Sequence, residues 1–61
     1  MKSNIIIEDT VTEAEQMFGE DVVKDVMEMM YEVGDPDFLF TMYEDMGMYS
    51  HMECVSVLYF E

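Results

Sequence analysis

His51, Glu53 and Cys54 lie within four positions of one another, and the chain has no other histidine or cysteine. His51 suggests a base or a metal ligand, but one histidine, one cysteine and no arginine leave no credible nucleophile–base pair, nor an oxyanion clamp beyond backbone groups. A zinc or calcium site needs several ligands converging at familiar spacings, and no such spacing occurs here. Cys54, in an apolar neighbourhood, reads as a small buried hydrophobe. The nine methionines open a soft-metal reading, with Met46, Met48, His51, Met52 and Cys54 in reach of Cu(I). Against it, Met27, Met30, Met42 and Met46 fall on apolar stripes, where methionine fills core gaps and adapts to partners. We therefore expect no enzyme, no metal site and no cofactor.

The carboxylates point further. Fifteen Asp and Glu stand against Lys2 and Lys24, a formal charge of −13 at pH 7. Asp21, Asp25, Glu28 and Glu32 step by three and four, so a helix would stack them about 5 Å apart along one face. One DNA strand carries a charge about every 3.4 Å. The ridge alone is sparser, but Glu13, Glu15, Glu20, Asp35, Asp37, Glu44 and Asp45 supply neighbouring rows. Phosphate would be repelled, so direct nucleic-acid binding and acidic membrane surfaces are excluded. A basic protein is favoured. Tyr31, Tyr43, Tyr49 and Tyr59 are candidate half-exposed anchors at such a contact.

The element that must hold the ridge runs from Glu20 to Val33. Its apolar residues at 22, 23, 26, 27, 30 and 33 also step by three and four, opposite the carboxylates. Before it, Thr10 with Glu13, or Thr12 with Glu15, offers a capping box and a start near residue 12 or 13. Gly19 either breaks or bends this stretch. Gly34 ends it. Asp35-Pro36-Asp37 then restarts the chain as N-cap, N1 and first turn. Phe38, Leu39, Met42, Tyr43 and Met46 give the next helix its stripe, and Gly47 closes it. The expected fold is therefore mostly α, built on a helical hairpin of about 12–33 and 36–46. At the termini, the Ser50–Glu53 capping box favours a third helix. The β-branched residues favour instead an α+β alternative in which Ile5–Ile7 pairs with Val55–Phe60.

At 61 residues the chain makes one domain, 1–61, near the lower limit for folding without staples. Hydrophobic residues make up 51% of it, too many for disorder and more than so small a core can hide. The surplus argues for a partner or a homo-oligomer. A single cysteine, no apparent signal peptide and no long apolar run lead us to expect a cytoplasmic protein.

In size, acidity and aromatic- and Met-rich helical stretches, the chain resembles the small phage-encoded inhibitors that mimic DNA or occupy nucleic-acid-binding sites of host defence proteins. That resemblance implies a stoichiometric inhibitor in the host cell, with the ridge at 21, 25, 28 and 32 as its binding surface. Residues 13–46 also resemble the ubiquitin-binding CUE and UBA three-helix domains. Met17-Phe18-Gly19 sits where CUE domains carry Met-Phe-Pro, and Gly34-Asp35 forms the turn before Leu39, Met42 and Tyr43. This second resemblance implies an apolar contact centred on Met17, Phe18, Leu39 and Tyr43. The charge favours the first reading, since an apolar ubiquitin patch does not call for −13.

Overall fold

The computed structural model describes residues 8–60, the side chain of Glu8 excepted. They form four helices: α1 (Glu8–Phe18), α2 (Glu20–Val33), α3 (Pro36–Met46) and α4 (Tyr49–Tyr59). No strand occurs among the described residues.

α1 is already helical at Glu8, so both threonine capping boxes lie inside it and cap nothing. Val11, Ala14 and Phe18 keep the three-four step, and Ala14 is buried where they meet the other helices. Gly19 separates α1 from α2 with φ 96° and ψ 152°, a region closed to residues with a Cβ. Its N–H donates to the Glu15 carbonyl (2.8 Å) while its own carbonyl accepts from Val23 N–H (3.2 Å), so one residue ends a helix and begins the next.

α2 buries Val23 and Val26 and stops at Gly34, whose left-handed backbone lets its N–H reach the Met30 carbonyl at 2.7 Å. The Asp35 carboxylate accepts from the Asp37 and Phe38 N–H groups at 3.1 and 3.4 Å, and Pro36 takes the first helical position. α3 closes at Gly47 in a paired arrangement: Gly47 N–H to Glu44 C=O, and Met48 N–H to Tyr43 C=O.

The segment from Tyr49 to Tyr59 is a helix, so the strand pairing expected as an alternative is corrected. Cys54, Val55 and Leu58 lie on one face of α4 and enter the core. A strand's period of two would split that set between two faces; here the packing surface overrides β-propensity. Ile5–Ile7 lie outside the described residues. The Ser50–Glu53 capping box is also unused: α4 opens on Met48, which makes no side-chain cap.

The core is Ala14, Val23, Val26, Leu39, Tyr43, Cys54, Val55 and Leu58, drawn from every helix. α2 and α4 each pack on all the others, while α1 and α3 do not meet. α3 packs most heavily on α4, with Phe40 and Phe60 edge to face at 6.2 Å. Two stripe residues depart from expectation. Phe38 and Met46 are 54% and 60% exposed, although α3 packs on both α2 and α4.

Candidate functional site

α2 places Asp21, Asp25, Glu28 and Glu32 on one exposed face, as their spacing requires. Val23 and Val26 fix that orientation by anchoring the opposite side in the core. Among the described residues, Asp25 alone has a basic side chain within 4 Å, His51 Nε2 at 3.4 Å. Lys24 stands on the same helix without closing an ion pair at that distance. Among the described residues, His51 is thus the one close basic partner of the ridge.

On one flank the ridge borders a groove of about 420 Å³ between α2 and the corner where α3 turns into α4. Asp25, Glu28 and Glu32 form its rim; Met29, Met42, Met46 and Met48 line it with Tyr43 and His51. It is an open, mostly apolar trough. The His51 side chain is 14% exposed and its ring lies 5.1 Å from that of Tyr43, so it links the α2 rim to the α3–α4 wall. Burial, followed by the nearby Asp25 charge and then Cys54, pushes the Tyr43 phenol above its ordinary range.

On the other flank stands Tyr31, about 200° around α2 from Met29 and 92% exposed. Tyr49 is exposed at the start of α4, next to Met48. Asp35 and Asp37 are exposed at the α3 N-terminus, where Asp35 also serves as the cap. Glu44 and Asp45 are exposed on α3 but do not line the groove. The carboxylates therefore form one tight row and several scattered neighbours rather than a continuous sheet.

Cys54 is buried, and burial pushes its thiol up to about 11. It does not line the groove. The soft donors considered together in the sequence are thus parted, with Met46, Met48 and His51 at the groove and Cys54 in the core. No cluster of three or more His, Cys, Asp or Glu able to hold a metal occurs among the described residues. Of the four residues implied by the CUE and UBA resemblance, Met17 is exposed and Phe18 partly so, but Leu39 and Tyr43 are core residues. No helix of the described residues is long and apolar enough to cross a membrane.

The groove was not foreseen. Its signal was available: Met29 and Met48 are apolar residues left over once the core stripes are assigned, and Met46 lies two residues before Met48. No protein-family model, curated protein or solved structure matches this chain.

Proposed function

We propose that this chain is a non-catalytic inhibitor that binds a basic, nucleic-acid-binding protein and blocks the surface its nucleic acid would use. The observation that supports this reading most is the α2 ridge, four exposed carboxylates in one row on a molecule of charge −13. Carboxylates spaced by about 5 Å present a partner's Lys and Arg with a line of anions comparable in character to a phosphate backbone. Long-range attraction would raise the encounter rate and select basic partners. Inhibition of a host defence protein by a phage-encoded partner is the setting suggested by the first family resemblance.

Affinity capture from cell lysate at about 50 mM and about 300 mM salt tests this, because attraction between exposed charges falls as the Debye length shortens. A partner retained at low salt, released at high salt and displaced by duplex DNA is the expected result. Replacing Asp21 and Asp25 by Asn, and Glu28 and Glu32 by Gln, keeps the helix and removes four charges. Retention undiminished by that change would rule out charge mimicry.

A further inference from the structure

We infer that the methionine-lined groove is a docking site for a basic amphipathic helix of the partner. This inference deepens the inhibitor reading and rests on it. A surface that only imitated phosphates would need no thioethers, yet four methionines line a groove directly beside the ridge. Methionine is flexible and polarisable, suited to receiving apolar side chains of varied shape.

Charge selects the occupant. A second copy would bring another −13 to the contact and meet repulsion, whereas a basic segment meets complementary charge. Backbone chemistry selects its conformation. The described residues offer no sheet edge, so an extended segment would leave the N–H and C=O groups on its buried side without partners in an apolar trough. A helix satisfies them internally. Spacing selects the register. Rim carboxylates at 25, 28 and 32 span about 10 Å, and basic residues at i, i+3 and i+7 of a helix lying along α2 would match them one to one. Apolar residues on the adjoining face would then enter between Met29 and Met46.

The probe is a fluorescent peptide of about 18 residues, five helical turns, with leucines along one face and lysines flanking it. Its control is the same composition scrambled to destroy the apolar face. Fluorescence anisotropy should show the amphipathic peptide binding at least tenfold tighter than the scrambled one, with a gain in helical circular dichroism. Equal binding of the two, or binding of neither, overturns the proposal.

The discriminating variant is Met46→Glu, at an exposed position where the core is untouched. It makes the protein more negative, so pure charge attraction predicts equal or tighter peptide binding. The groove predicts at least a tenfold loss. Circular dichroism checks its fold, and Met29→Gln, which leaves the charge unaltered, should show a loss in the same direction. If the ridge variant loses the cellular partner while Met46→Glu keeps both partner and peptide, the groove proposal fails and the charge reading stands. If the ridge variant keeps the partner while Met46→Glu loses it, the groove alone carries binding, and both charge mimicry and the basic occupant proposed here are overturned, since Asp25, Glu28 and Glu32 belong to ridge and rim alike.

Discussion

The Cys54 thiol is the one titrating group in the core whose displacement is large: burial moves it from 9.0 to about 11. An acid whose folded pKa is raised keeps its proton longer in the native state than in the unfolded chain. Between about pH 9 and 11 the unfolded chain therefore binds fewer protons, and stability falls as pH rises. At about 1.4 kcal/mol per unit of pKa, the thiol accounts for roughly 2–3 kcal/mol lost over that window. The Tyr43 and Tyr59 phenols are shifted the same way, chiefly by burial, and extend the loss to higher pH. Cys54→Ala lowers the baseline by removing packed volume, but its urea-unfolding free energy should fall less between about pH 8 and 11 than the wild type's. Parallel curves would assign the loss elsewhere. The His51–Asp25 contact works on a smaller scale. Asp25 is 63% exposed and the separation is 3.4 Å, so a double-mutant cycle with His51→Gln and Asp25→Asn should give a coupling below about 1 kcal/mol.

Helix boundaries in this chain are set by single residues, and Gly19 is the most constrained of them. A Cβ built there meets nothing within 4 Å, so the cost of Gly19→Ala is conformational alone. With φ at 96° and ψ at 152°, that cost should be about 1–3 kcal/mol in denaturant unfolding. Gly34→Asn should cost less than about 1 kcal/mol, because asparagine visits the left-handed helical region that Gly34 occupies. The reverse order would contradict the geometry at Gly19. The same logic explains what was legible beforehand. Gly34, Asp35, Pro36 and Gly47 act through their own backbone chemistry, so the end of α2 and the bounds of α3 could be read locally, whereas Gly19 alone left a break and a bend both open. α4 could not be settled that way. Val55 and Val57 prefer strands in isolation, and only contact with the core of α1, α2 and α3 shows which face they must bury. The ridge was readable because it lies within one helix. The groove was not, because Met29, Met42 and Met48 become neighbours only after α2, α3 and α4 have packed.

Across the whole molecule, charge and compactness oppose each other. The radius of gyration is 10.7 Å, close to the ~10.5 Å expected for a compact chain of this length. At about 0.01 M salt the Debye length is roughly 30 Å, so every carboxylate feels all the others; at about 1 M it is roughly 3 Å. The melting temperature should therefore rise with sodium chloride. The ridge contributes to that repulsion through three like-charge pairs at helical spacing, 21–25, 25–28 and 28–32, each unfavourable by about 0.2–0.5 kcal/mol. Its two ends differ in sign. Asp21 sits in the first turn of α2, where the helix dipole favours it, whereas Glu32 sits in the last turn, where no basic residue offsets it. Glu32→Gln should stabilise by about 0.3–1 kcal/mol at low salt, and Asp21→Asn should do the reverse. With all four neutralised, the pair terms, the Glu32 gain and the general relief of a net charge cut by four outweigh the loss at Asp21 and the loss of the Lys24 pairs with Asp21 and Glu28. That variant should melt higher than the wild type at low salt, depend less on salt, and bind its partner less. Such a result would separate folding from recognition: a surface that weakens its own fold acts on something outside it. A neutralised variant that melts lower would mean that the ridge serves the fold, and its exposure would then no longer argue for a partner.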